Sequence, residues 1–72
     1  MEDFQKRLKN ETLELADKVN KLHDFMKTKK FYNLSRIEKD LLYEQETAMM
    51  RYLQTIGKRC EYYGIILFEE EE

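Results

Sequence analysis

Three lysines stand beside two aromatic residues near the middle of the sequence: Lys27, Lys29 and Lys30, followed by Phe31 and Tyr32. Ammonium groups supply positive charge for phosphates, and adjacent rings offer stacking surfaces for nucleic-acid bases. This combination indicates a binding site for a nucleotide. The alternative is a basic turn between helices that contacts only water, and composition alone favours that alternative.

Two arginines, Arg51 and Arg59, add positive charge further along the sequence. They are eight residues apart, so they project from related faces of a helix. Neither has an acidic residue three or four positions away, so no ion pair within the helix accounts for them. A surface arginine, free or paired with a glutamate on another helix, is the simpler interpretation of each one alone.

Most other chemistry is excluded by the residue types. The sequence has one cysteine and one histidine, which cannot form a structural zinc site, and it has no glycine-rich phosphate loop and no nucleophile elbow. His23 is expected to face solvent or to compensate the dipole at a helix end, and Cys60 to be a small core residue. We therefore predict that the protein is not an enzyme, has no catalytic residues, and binds no metal and no cofactor.

The size of the chain favours self-association. Its 72 residues form one domain at most. A single core of this size rarely contributes more than roughly 3–5 kcal/mol, and small domains compensate with disulfides, a metal or oligomerisation. Because one cysteine excludes an intramolecular disulfide, a homo-oligomer is predicted.

The charge is divided unevenly along the chain. The formal net charge is −2, but four of the fifteen acidic residues form the run Glu69–Glu72, so the remainder has 13 basic and 11 acidic residues and a net charge of +2. The absence of a sustained basic face argues against duplex DNA as a partner. No apolar run is long enough to span a membrane and no secretion signal is present, so we expect no membrane partner and a cytoplasmic location.

Helical periodicity predicts an all-α protein, a two-helix antiparallel hairpin that assembles into a compact homo-oligomer. Residues 1–64 form the hairpin, with one helix over about 2–26, a turn over about 27–34 and a second helix over about 35–63. Residues 65–72 are predicted to be an extended apolar strap, or a short strand, followed by a solvated acidic tail.

Local signals mark the helix ends. The residues from Ser35 to Glu38 have the S-x-x-E form of a capping box, which predicts the start of the second helix. Gly64 fits the C-terminal cap of that helix. In the first helix the apolar residues recur three and four apart, and either Glu11 or Thr12 fills the one missing step.

The second helix carries two adjacent apolar stripes. The first contains Leu34, Ile37, Leu41, Ala48 and Tyr52, and the second contains Leu42, Met49, Leu53, Ile56, Cys60 and Tyr63. One stripe is enough to cover the first helix of a hairpin. The other must face something else, and another copy of the chain is the simplest partner.

Both helical segments resemble a known group of small bacteriophage proteins. Residues 31–59 carry F-x-x-L-x-x-x-E/K-x-x-L-L-x-x-Q-x-x-A-M-x-x-Y-L-x-x-I-x-x-R, and residues 7–25 carry R-L-K-x-E-x-x-E-L-x-x-K-V-x-K-L-x-x-F. This pattern resembles the anti-CBASS cyclic-nucleotide sponges, the hairpin part of the Thoeris anti-defence sponges, and related small proteins of crAss-like phages. The two segments cover about three quarters of the chain, and the Q-x-x-A-M-x-x-Y-L core is their most specific part.

The resemblance implies a helical hairpin that assembles into homo-oligomers, commonly hexamers. Such proteins bind cyclic di- or trinucleotides in pockets between subunits and do not hydrolyse them. Lys27 matches the group's phosphate-contacting lysine, and Arg59 matches a late arginine that could reach a phosphate. Thr12 falls where the group has a base-stacking tyrosine; because threonine cannot stack, a ring such as Tyr32 or Phe4 substitutes, the ligand differs, or this pocket has been lost.

Two functions follow as hypotheses. The first is a counter-defence sponge that sequesters a cyclic oligonucleotide signal in the cytoplasm of the infected bacterium and so blocks CBASS-type or Thoeris-type immunity. Its ligand-binding residues would be Lys27, Lys29, Lys30, Tyr32, Thr12 and Arg59. The second is a helical interaction module, such as a phage regulator or adaptor, with no nucleotide ligand.

Overall fold

The computed structural model describes residues 2–68, which contain three helices. α1 covers Asp3–Phe25, α2 covers Lys29–Tyr32 and α3 covers Arg36–Tyr62. The prediction of an all-α protein is confirmed. The described part has no strand, so the strand alternative for the segment after Gly64 was wrong.

α1 packs against α3, and their contacts run in opposite chain directions. Leu8 near the start of α1 lies in the core cluster with Ile56 and Cys60 near the end of α3. His23 near the end of α1 contacts Glu46 in the first half of α3. The apolar periodicity of both helices produces this arrangement, because each buries one side of its surface against the other.

A buried threonine completes the core stripe of α1. Thr12 is only 2% exposed, and its hydroxyl donates a 2.7 Å hydrogen bond to the Leu8 carbonyl and lies 3.4 Å from the Cys60 sulfur. Of the two residues that could fill the missing step, Thr12 does so and Glu11 is exposed. The hydroxyl is tolerated in the core because it is hydrogen-bonded.

The connection between α1 and α3 contains α2, a four-residue helix that the sequence did not indicate. The signal that could have identified it is Thr28. Its hydroxyl caps α2 by accepting from the Phe31 amide at 3.3 Å, and it donates to the Phe25 carbonyl at 2.6 Å. Threonine is a favoured N-cap for this reason.

Phe31 anchors α2 to the longer helices. It is 2% exposed and makes edge-to-face contacts with Phe25 of α1 and Tyr43 of α3, at centroid distances of 6.2 and 5.7 Å. Tyr32 contacts Phe31 from the exposed side at 5.8 Å. One buried ring therefore joins all three helices, in geometry that aromatic pairs prefer.

The predicted capping box is present at the start of α3. The Glu38 amide donates to the Ser35 hydroxyl at 3.2 Å, and the Ser35 amide donates to the Glu38 carboxylate at 3.3 Å. Two amides that the helix leaves unpaired are thereby satisfied.

We expect Ser35→Ala to lower the free energy of unfolding by about 1 kcal/mol, since the Glu38 amide loses its acceptor. Chemical denaturation followed by circular dichroism measures this change. Thr47→Ala is the matched control, because the Thr47 hydroxyl bonds the Tyr43 carbonyl within α3 and caps no helix. An equal loss in both variants would contradict a capping role for Ser35.

α3 ends at the predicted glycine. Gly64 has φ +68°, and the Ile65 amide bonds the Cys60 carbonyl at 2.8 Å while the Gly64 amide bonds the Glu61 carbonyl at 3.1 Å. This is a Schellman motif, whose left-handed residue favours glycine. It turns the chain so that Ile65 and Leu67 pack on the core as an apolar strap. The predicted acidic tail, Glu69–Glu72, lies outside the described residues.

The two stripes of α3 have different environments. The second stripe faces α1: Ile56 and Cys60 are buried, and Leu42, Met49 and Leu53 are half-buried. Most of the first stripe faces away, with Ile37 72%, Leu41 58% and Tyr52 48% exposed. The apolar side chains of this outer face have no partner within the described chain.

Candidate functional site

Lys27 lines an open groove between α1 and α3, with a volume of about 590 Å³. Asn20 and His23 from α1 line the same groove, and Met50 and Leu53 supply its apolar side from α3. Asn20 and His23 are three residues apart on one side of α1, and Lys27 follows in the turn just after the helix ends. The groove combines an ammonium group, an amide and an imidazole with apolar surface.

One residue of this groove, His23, also contacts a carboxylate of α3. The His23 imidazole Nδ1 lies 3.1 Å from the Glu46 carboxylate, so α1 and α3 are bridged beside the apolar side of the groove. Asp24 also lines the groove and brings an acidic side chain into it. Asn20 and His23 were not among the predicted site residues; their spacing from Lys27 was the signal that could have identified them.

Lys29, Lys30 and Tyr32 lie together on α2, and all three are exposed. Tyr32 is 65% exposed, so its side chain is accessible to a ligand. The Lys39 ammonium lies 6.0 Å from the centroid of that ring, which is a cation–π distance. Lys39 is therefore a further cation at this end of the molecule that sequence reasoning did not select.

The structure separates Thr12 from these residues. It lies inside the α1–α3 interface, where its hydroxyl is already hydrogen-bonded to Leu8 and close to Cys60. In this arrangement the Thr12 side chain offers almost no surface to a ligand.

Arg59 is also distant from the lysines within one chain. His23, four residues before Lys27, contacts Glu46, and Arg59 follows Glu46 by thirteen residues of α3. That length of helix spans roughly 20 Å. A single chain therefore does not bring Arg59 and Lys27 into one site.

A second groove, of about 560 Å³, lies on the outer face of α3. It is lined by Tyr43, Glu44, Thr47, Ala48 and Arg51, all from α3 and all exposed. In residues 2–68 neither Arg51 nor Arg59 forms an ion pair, in agreement with the absence of acids at helical spacing.

Two kinds of feature are absent from the described part of the chain. Residues 2–68 contain no group of three or more histidine, cysteine, aspartate or glutamate side chains arranged to hold a metal ion. None of the helices in that range has the length and apolarity needed to cross a bilayer.

Comparison with known proteins identifies a family and a phage relative. The family model described as Sequestin matches residues 2–62. An uncharacterised 7.5 kDa protein from the denB–rIIB intergenic region of Enterobacteria phage T4 is 36% identical over 56 residues, which are 78% of this chain and 88% of the phage protein. No solved structure matches the chain.

Proposed function

This chain belongs to the Sequestin family, and we propose that it is a phage sponge that binds cyclic oligonucleotide second messengers without cleaving them. The family's name suggests sequestration, and the relative in phage T4 supports a role during infection. The sponge would act in the cytoplasm of the infected bacterium and block CBASS-type or Thoeris-type immune signalling.

The observation that carries the nucleotide part of this proposal is the groove at Lys27. Its ammonium group can contact a phosphate, and the apolar side chains of Met50 and Leu53 can contact a base. Lys29 and Lys30 add positive charge nearby, and the exposed ring of Tyr32 is available for stacking. We leave Thr12 out of the proposed site because it is buried.

Capture is stoichiometric in this proposal. The ligand is held and not changed, so the sponge works only when its affinity and copy number exceed those of the host receptor. An oligomer of two-helix antiparallel hairpins, with a hexamer favoured, would multiply the sites on one particle and raise the effective concentration of binding groups.

The exposed outer face of α3 favours a second candidate function. Ile37, Leu41 and Tyr52 are exposed apolar residues on one helix, as in a module that binds a helix of another protein. In that case the lysines of α2 would contact only solvent.

Native mass spectrometry with a panel of cyclic di- and trinucleotides tests the sponge. We expect the intact oligomer to retain at least one of these ligands unchanged in mass at micromolar concentration, whereas the linear dinucleotide, as the matched control, should be retained less. Absence of retention across the panel would reject the sponge and leave the interaction module. Release of a cleaved ligand would show an enzyme and contradict sequestration.

A further inference from the structure

The centre of the outer face of α3 carries opposite charges on either side of a small residue. Glu44 lies four residues before Ala48 and Arg51 lies three residues after it. All three are exposed and line the same groove. A small residue allows the backbone of another helix to approach closely at this point, as at other close helix crossings.

Neither charge is neutralised within the described chain. Residues 2–68 contain no ion pair to Glu44 or to Arg51. The two residues are seven positions apart on one helix, a rise of about 10 Å, and so they do not pair with each other. Each would find its complement if a second α3 crossed in the opposite direction at Ala48.

We propose that the outer face of α3 binds the same face of a second copy of this chain, antiparallel and with a two-fold axis between Thr47 and Ala48. The symmetry places Glu44 of one copy beside Arg51 of the other, and it does so twice because a two-fold contact repeats every pair. The geometry therefore selects an antiparallel partner; a parallel pair in register would place Glu44 against Glu44 and Arg51 against Arg51, which is repulsive.

Apolar surface accompanies the charges. Leu41 is 58% and Tyr52 48% exposed, on the same side of the helix and on opposite sides of Ala48. The antiparallel arrangement brings Leu41 of one copy near Tyr52 of the other, so both side chains lose contact with water. Burial of this surface contributes the affinity, and the charge pairs fix the direction and register.

The pairing has a consequence for the ligand site, and this consequence rests on the proposed function. The same symmetry places the second copy's Arg59 level with Arg36, the residue before Ile37. Ile37 is near the start of α3, at the end of the molecule that holds α2 with Lys29 and Lys30. The lysines and the arginine that one chain keeps apart are thus brought to the same end by two chains.

Charge reversal tests the pairing without any nucleotide. By sedimentation velocity we expect Glu44→Arg alone and Arg51→Glu alone each to raise the concentration needed for assembly on the order of tenfold or more, because each variant places like charges together. Mixing the two variants should restore assembly, since a basic side chain then meets an acidic one in both contacts. The double variant E44R/R51E should assemble like the unmodified chain.

Arg7→Glu and Glu14→Arg make the same charge changes on exposed positions of α1, also seven residues apart, and should leave assembly unchanged. Unchanged assembly of both α3 variants, failure of their mixture to assemble, or a monomeric unmodified chain would each overturn the pairing. Nucleotide retention is measured separately: restored assembly without any ligand rejects the sponge alone, and ligand binding with unaffected α3 variants rejects the pairing alone.

Discussion

Replacing Phe31 with alanine is expected to lower the free energy of unfolding by about 3–5 kcal/mol. The ring is 2% exposed and contacts Phe25, Tyr32 and Tyr43, so its removal leaves a cavity where all three helices meet. The loss is as large as the roughly 3–5 kcal/mol that a core of this size supplies. Urea denaturation followed by circular dichroism, at one fixed protein concentration, should therefore show a largely unfolded variant.

Tyr32→Ala is the matched control for this effect. Its ring is adjacent in sequence and contacts Phe31, but it is 65% exposed, so we expect it to cost less than about 1 kcal/mol. Equal stability of the two variants would show that Phe31 does not anchor α2. Phe31→Leu, which keeps most of the volume, should recover part of the loss.

Reversing the charge of Lys27 is expected to weaken cyclic-nucleotide binding on the order of a hundredfold, because an attraction to phosphate becomes a repulsion within the groove. Lys27 is exposed, so the fold should be retained. Isothermal titration calorimetry on Lys27→Glu, with circular dichroism and sedimentation on the same sample, separates loss of binding from loss of structure. Lys27→Arg should keep a large part of the affinity, since it preserves the charge.

Lys18→Glu is the control for the general effect of charge. Lys18 is exposed on α1 outside the groove, so this substitution should change affinity far less than Lys27→Glu. Equal weakening by the two variants would mean that net charge, and not a contact at Lys27, attracts the ligand. Comparison at two salt concentrations gives a second measure, because screening weakens long-range attraction.

The helix ends were the part of the fold that the sequence predicted best. Ser35 and Glu38 form the expected reciprocal hydrogen bonds, and Gly64 has the positive φ expected of a C-terminal cap. These features depend on residues close in sequence whose hydrogen-bonding and steric properties are specific. Thr28 was missed for a related reason: the same side chain that disfavours a helix interior favours an N-cap.

The packing between the helices was harder to predict from the sequence. The sequence showed two apolar stripes on the second helix but did not determine which one faces α1, because both have helical spacing. Likewise Glu11 and Thr12 were equivalent as fillers of a stripe until the structure placed Thr12 beside Cys60. Which residues face the core depends on packing between segments far apart in the chain, and a local sequence pattern does not determine that packing.

Only part of the candidate site was predicted from the sequence. Composition identified the lysines near α2, but it did not identify Asn20, His23 or the apolar side of the groove, which come from two helices. The separation of Arg59 from Lys27 follows from the direction in which α3 runs past α1. The ligand-binding role of these residues stays a prediction.

The two ends of the core also differ in the order in which they can form. Phe25, Phe31 and Tyr43 are close along the chain, whereas Thr12 and Cys60 are separated by 48 residues. Closing a long loop costs more entropy than closing a short one, and the cost falls as earlier contacts shorten the loop. We therefore expect folding to nucleate at the aromatic cluster. The contacts between α1 and α3 would then form in order toward Leu8 and Cys60, and the strap at Ile65 would pack last.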